Sequence, residues 1–355
     1  MRIHTVCVTG FRNLQDGEHE LFPGVNILFG DNAQGKTNFL EAVYVCSTGR
    51  SQRGSADREM INHDLSESRV RVETDDSTLI DIHLQRGGKK SVAINHLPTK
   101  RLGDLFGNLL TVSFSPEDLR IIKQGPKERR RFMDMELCQL SRIYYSELLS
   151  YYRALRQRNN LLRQIKQERA ERATLFIWNS QLATHGAKIF ARRKEFCELL
   201  NNIAGRLHAA ITNHNESLQV IYKPDAAPND VEERLNANTE RDITRVSTSV
   251  GIHRDDIEFI VNDTNCRVYG SQGQQRTAAL SAKLAEMEII KQTKNKNPIL
   301  LLDDVLSELD INRQRYLLDS ISGSQVIMTL TGMEDIKRFA PADARIMAVK
   351  QGSIT

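Results

Sequence analysis

Apolar positions along the chain keep two rhythms, and proline marks where one gives way to the other. Before Pro126 the runs are short. Val70-Arg71-Val72-Glu73, Leu79 to Leu84 and Ser91 to Ile94 alternate or cluster as antiparallel strands do, with Gly87-Gly88 as a turn. Thr111 to Phe114 reads as a further strand, stopped by Ser115-Pro116. From Pro126 to the next proline, Pro224, the pattern becomes helical. Leu175, Leu182, Ile189, Phe196, Ile203 and Ala210 recur every seven residues, the seam of a helix packed on another helix. Upstream, Leu148, Tyr152, Leu155 and Leu162 keep a matching stripe, and the polar connector Lys166 to Arg172 joins the two as a helical hairpin. Lys223 to Thr239, rich in asparagines and acids and holding Pro224 and Pro228, is expected to be a mobile loop. Beyond it come a hairpin, a helix from about Gly273, and the strand Ile299 to Leu302. No internal repeat or low-complexity tract interrupts this order.

The length of 355 residues suggests roughly two domains and allows a sizeable core. No apolar run is long enough for a membrane span, and Met1 to Cys7 reads as a strand, not a signal peptide. The five cysteines lie far apart and form no CxxC pair, which points to reduced thiols and a cytoplasmic setting. A net charge of +4 says little about partners.

Candidate chemistry changes the picture. The apolar run Val25 to Phe29 leads directly into Gly30-Asp31-Asn32-Ala33-Gln34-Gly35-Lys36-Thr37 and then a helical stretch beginning at Asn38. That is GxxxxGK[ST] between a strand and a helix, the setting a phosphate-binding loop requires. Its glycines let backbone N–H groups close around phosphate oxygens, and the helix N-terminus adds a positive field. Lys36 is expected to reach the β/γ-phosphates of ATP, and Thr37 to ligate Mg²⁺. The strand Ile299 to Leu302 then delivers Asp303 to the metal and Asp304 towards the attacking water, and Ser307 and Asp310 complete LLLDDxxSELD. Ser271-Gln272-Gly273-Gln274-Gln275 opens the helix that carries Leu280, Leu284, Met287 and Ile290. Any capped helix could begin this way. Between a P-loop and an LLLDD strand, it looks like the signature loop of ABC-type ATPases, which bind ATP between the P-loop of one subunit and the signature of another. His253-Arg254-Asp255-Asp256 lacks the Asn and Asp-Phe-Gly of a kinase loop, and a structural ion-pair role is expected for it.

Charge is unevenly spread. From Leu119 to Ala170 thirteen basic residues face five acids, an excess of eight that leaves the remainder of the +4 chain at minus four. Arg153, Arg156 and Arg163, with Asn160 between, fall at 3-4-3 spacing on one helix face, beside the apolar stripe. A solvated face is the usual meaning of such charge. On an ABC-type head it favours contact with duplex phosphates, and Arg129 and Arg130 are further candidates. Few aromatics are available for base stacking, so backbone and shape are read, not sequence.

The chain resembles the RecF family, bacterial recombination-repair ATPases related to SMC heads. The similarity runs over almost the whole length. It rests on GxNAQGKTNxLEA at 30–42, TGRS at 48–51, FSPEDL at 114–119, ERRRFMD at 128–134, HRDD at 253–256, SQGQQRT at 271–277, LAEME at 284–288 and LLLDDVLSELD at 300–310. The resemblance implies an α/β, ABC/SMC-type P-loop ATPase head with a helical second lobe, a short antiparallel coiled arm. On that reading residues 1–118 and 297–355 form the ATPase lobe, and 119–296 form the helical basic lobe with the signature helix. It also implies ATP-dependent homodimerisation, weak DNA-dependent hydrolysis, and binding to duplex DNA at gaps and junctions. Partnership with RecO and RecR, help in loading RecA onto single strands, replication restart and support of the SOS response follow from the same source. The chain departs from the wider ABC pattern in three places and from the RecF family in one. Asp304 stands where most ABC ATPases have Glu, and RecF proteins share this. The strand ending at Ser115-Pro116-Glu117-Asp118 has no Q-loop glutamine, with Glu117 the one substitute in view. No histidine lies near Val326 to Thr329, which leaves the switch role to Thr329 or to nothing. Ile252 replaces the family's more frequent proline. A transporter's nucleotide-binding subunit fits poorly with the basic arm and these missing residues. A P-loop kinase or GTPase would not need the SQGQQ loop, and no NKxD is present.

Overall fold

The computed structural model describes residues 1–355, the side chains of Met333, Glu334 and Lys337 excepted. Packing divides the chain into two units, Met1–Asp118 with Ala282–Thr355, and Leu119–Ser281. The boundary between Ser281 and Ala282 lies within the continuous helix Gln272–Lys294.

The first unit has three layers. One is an antiparallel sheet in the order Gly17–Glu20, Ile3–Thr9, Glu67–Thr74, Leu79–Gln85, Ser91–Ile94, Leu97–Pro98. Alternation explains it: Ser68, Val70, Val72 and Thr74 face in while Glu67, Arg69 and Glu73 face out. The other sheet runs Ser353–Ile354, Arg345–Lys350, Val25–Phe29, Val326–Leu330, Ile299–Asp303, Thr111–Phe114, and every pairing but the first is parallel. Its central strands are apolar without alternation because both faces are covered. Helix Lys36–Thr48 lies between the sheets and buries Phe39, Leu40, Ala42, Val43, Val45 and Cys46 in a core shared with Val6, Val70 and Ile82 on one side and Leu301 and Ile327 on the other.

The second unit is built on helices Pro126–Leu140, Arg142–Lys166 and Leu175–Ile211, with a three-stranded sheet ordered Thr264–Asn265, Asp256–Val261, Leu218–Lys223. The helical hairpin forms as the heptads require. Leu175, Leu182, Ile189, Phe196 and Ile203 are buried, and Ala210 is half-buried. The facing seam is differently phased from its sequence reading. Tyr144, Tyr151, Ala154, Arg158, Leu162 and Ile165 point in, whereas Tyr152 is exposed and Leu148 and Leu155 are half-buried. Segment 223–239 is not a loop. It holds a turn at Pro228–Asp230 and helix Val231–Ala237, followed by helix Thr239–Arg245, which together bury Val231, Leu235, Asp242 and Ile243. Helices of seven residues are too short for a period of 3.6 to declare itself.

Candidate nucleotide site and signature helix

Strand Val25–Phe29 ends at the loop 30–35, and the backbone there explains the glycines. Gly30 has φ +156° and Gly35 has φ +118°. A Cβ on Gly30 would collide with the Val349 carbonyl of the neighbouring strand. The loop is framed by polar contacts before any ligand arrives. Asn13 Nδ2 donates to Ala33 O at 3.3 Å, Asn38 Nδ2 donates to Asn13 Oδ1 at 2.6 Å, and Gln34 Oε1 accepts from the Gln351 N–H at 2.6 Å. Gln34 and Asn38 therefore spend their side chains on holding the loop.

Lys36 is buried, and its ammonium donates to the Gly30 carbonyl and to Asp31 O at 2.9 Å. Burial pulls its pKa below the usual lysine value, and Asp304, Asp303 and Asp31 partly oppose the shift. Thr37 Oγ1 donates to Asp303 Oδ1 at 2.8 Å. Thr329 Oγ1 donates to the same oxygen at 3.1 Å and accepts from the Asp304 N–H at 2.9 Å. Burial raises the Asp303 carboxyl, while the two threonine hydroxyls and Arg53 pull it back down. Asp304 is exposed in a left-handed conformation, φ +51°. These groups, with Asn32, Arg53 and Thr331, line a cleft of about 300 Å³. Converging hydroxyl and carboxylate oxygens suit a hard cation such as Mg²⁺, and Thr37 and Asp303 would hold it. Ser307 Oγ closes the following turn onto Asp304 O at 2.7 Å. Asp310 caps helix Ile311–Ser320 by accepting from Arg313 N at 3.0 Å.

Of the residues at this cleft, the sequence reading names the loop, both aspartates and, as one of two alternatives, Thr329. It misses Asn13, which no motif contains, and Arg53, which lies two residues beyond TGRS and could have been caught by extending that motif.

In the second unit Ser271 and Gln274 form a reciprocal capping box at the start of the signature helix. Ser271 Oγ accepts from the Gln274 N–H at 3.2 Å, and Gln274 Oε1 accepts from the Ser271 N–H at 2.9 Å. Ser271 and Gln272 are exposed and Gly273 is half-buried. Gln275 needs correction as a ligand-facing residue: it is buried and its amide donates to Cys266 O at 3.0 Å.

The basic candidates divide. Arg153, Arg156 and Arg163 are exposed on one face of Arg142–Lys166. Arg129 is withdrawn, buried and forked onto Asp256 at 2.6 and 2.8 Å. Arg130 donates to Asp255 O at 2.6 Å. Both face HRDD: Arg129 through the ion pair expected of that motif, and Arg130 through a hydrogen bond to its backbone. Arg158, also counted in the basic excess, is fully buried and bonds Asn179, Asp242 and Thr248 at 2.7, 2.7 and 2.9 Å.

A family model described as RecF/RecN/SMC N terminal domain matches residues 2–353. "DNA replication and repair protein RecF" of Lachnoclostridium phytofermentans is 47% identical, over 100% of this chain and 99% of that one. The chain belongs to the RecF family. A RecF of Clostridium botulinum is 41% identical, again over 100% and 99%. The solved structure of the recombination mediator protein RecF-ATP in the RecFOR pathway superposes with a TM-score of 0.92 at 36% identity, covering 100% of this chain and 97% of that one. An Smc head domain from Pyrococcus furiosus shares the fold alone, with a TM-score of 0.55 at 15% identity. The chain is therefore a RecF-type, ATP-binding ABC head. No helix among the described residues is long and apolar enough to cross a membrane.

Proposed function

We propose that this chain is an ATP-dependent DNA-binding protein of recombinational repair and replication restart. Its ATP-driven homodimer binds duplex DNA at gaps and junctions, acts with RecO and RecR in the cytoplasm to help load RecA onto single strands, supports the SOS response, and hydrolyses ATP slowly when DNA is present. The observation that carries this reading is the convergence of Thr37 and Asp303 at 2.8 Å beside the buried Lys36. The names of the RecF relatives and the ATP-bound RecF structure support it.

The chemistry assigned to the chain's own residues follows from their placement. The Lys36 ammonium exchanges the Gly30 and Asp31 carbonyls for phosphate oxygens, and the loop N–H groups close around the same oxygens. Mg²⁺, when bound, neutralises charge developing on the phosphate oxygens. Asp304 orients water at the open side of the cleft, and Ser271 to Gln274 close the site in trans. A shorter carboxylate than glutamate suits slow turnover. Exposed Arg153, Arg156 and Arg163 meet duplex phosphates.

The test is binding to gapped and uniform duplex DNA with and without ATP, with molecular mass followed in parallel. ATP should produce a dimer with a preference for the gapped substrate, and Lys36→Ala should produce neither. A wild-type protein that stays monomeric with ATP, or a Lys36→Ala dimer, would sink the reading.

A further inference from the structure

Ser271 is exposed, but the atoms that aim it are not its own. Its N–H and hydroxyl are both fixed by Gln274, and the Gln274 amide is in turn held: Nε2 donates to Glu216 Oε1 at 3.0 Å. An unrestrained glutamine at this helix position would lose several rotamer states to complete a capping box, and the carboxylate acceptor offsets that entropy. Glu216 lies in no recognised motif and 55 residues before Ser271 in the chain.

Glu216 is itself braced. It follows helix Leu175–Ile211 through a turn in which Asn213 and His214 both take positive φ, 52° and 61°. That turn is pinned by His214 N–H to Ala209 O at 2.7 Å and Thr212 Oγ1 to His208 O at 2.8 Å. The second carboxylate oxygen of Glu216 lies 3.3 Å from Nε2 of the fully buried His208, whose Nδ1 is 3.3 Å from Ser281 Oγ. Ser281 donates in turn to Thr277 O, one turn back along the signature helix, at 2.8 Å. The two ends of one glutamate–histidine pair thus grip the same helix at Gln274 and at Ser281.

We infer that Glu216, backed by His208, is a positioning residue for the signature: it fixes Gln274 so that the Ser271 hydroxyl and the first helix N–H groups are preorganised for a partner's ATP. The inference deepens the trans-site reading and rests on it for its functional consequence. The positioning itself is read from the monomer.

Three variants and four readouts test it. In nucleotide-free Glu216→Ala, hydrogen exchange at the Ser271 and Gln274 amides should quicken about tenfold, the effect of losing one charge-assisted hydrogen bond. ATP-driven dimerisation should weaken by about the same factor. The affinity of the monomer for a fluorescent ATP analogue should stay within about twofold, because the P-loop belongs to the other unit and shares no partner with the turn. Turnover should accordingly fall in kcat while KM for ATP holds. Glu216→Gln keeps the acceptor oxygen and should restore most of both properties. Should Glu216→Ala not fold, His208→Gln reads the same exchange. Unchanged exchange at the two amides, or a Glu216→Gln as defective as Glu216→Ala, would overturn the assignment. Wild-type protein that remains monomeric with ATP would overturn the sandwich reading, while the exchange data would still decide the role of Glu216.

Discussion

Asp118 closes the turn that ends strand Thr111–Phe114, with its carboxylate accepting from the Ser115 N–H at 2.7 Å. Burial pushes the carboxyl up to about 6, although Lys283 and that hydrogen bond pull it down. Below about pH 6 the native group therefore holds a proton that the unfolded chain takes up only near its ordinary value. Its contribution makes the fold more stable as pH falls from about 6 towards 4, by at most about 3 kcal/mol. Urea unfolding at pH 4.5 and pH 7 should show this dependence reduced in Asp118→Asn; an identical pH profile in the two proteins would refute it. The fully buried pair Arg158–Asp242 raises a different question, that of an ion left alone. Asp242→Ala leaves a guanidinium without its counter-charge and should cost about 3–5 kcal/mol in the same experiment, and a loss below about 1 kcal/mol would show the pair to be dispensable. At this scale the side chains that line the candidate cleft were legible, because phosphate chemistry fixes both residue type and spacing. Arg129 and Arg158 were not, because composition counts a cation without showing the carboxylate that waits for it across the fold. Asp304 shows another limit. The left-handed conformation it adopts is tolerated by Asp and Asn far better than by longer side chains. The change from the glutamate usual at this position is therefore a matter of backbone as well as reach.

The first arm helix, Arg142–Lys166, divides its surface cleanly. One side carries the seam against Leu175–Ile211, and Arg153, Arg156, Asn160 and Arg163 follow one another along the solvent side. Charge reversal at the three arginines should weaken duplex binding and reduce the slope of log affinity against log salt by up to about 3, about one for each phosphate that is no longer neutralised. Affinity and slope both unchanged would place the DNA surface elsewhere. Its partner helix was readable in sequence because six apolar residues kept strict heptads over many turns. The first arm helix was misphased because a buried arginine occupies a seam position and breaks the apolar signal. Strand Leu218–Lys223 escaped notice for another reason. Its lone neighbour is Asp256–Val261, far along the chain, and its outer edge is blunted where the Val220 N–H is taken by Asn201 Oδ1 at 2.7 Å.

For the molecule as a whole, the basic excess read from segment 119–170 includes cations that the second unit spends on itself, through Arg129, Arg130 and Arg158. The exposed basic surface is narrower than the sum implied, and the proposed duplex contact uses only the part of it on Arg142–Lys166. The larger consequence belongs to the order in which the chain is made. The P-loop strand Val25–Phe29 has Val326–Leu330 on one side and Arg345–Lys350 on the other, both contributed some 300 residues later. During synthesis the antiparallel sheet and the whole inserted unit can fold while this strand still has two bare edges. A chain cut after Ser320 should bind no fluorescent ATP analogue and should expose residues 25–29 to protease; nucleotide binding by that fragment would show the parallel sheet to be unnecessary. On the ribosome, the loop after this strand emerges roughly 300 residues before the two strands that flank it and complete its support.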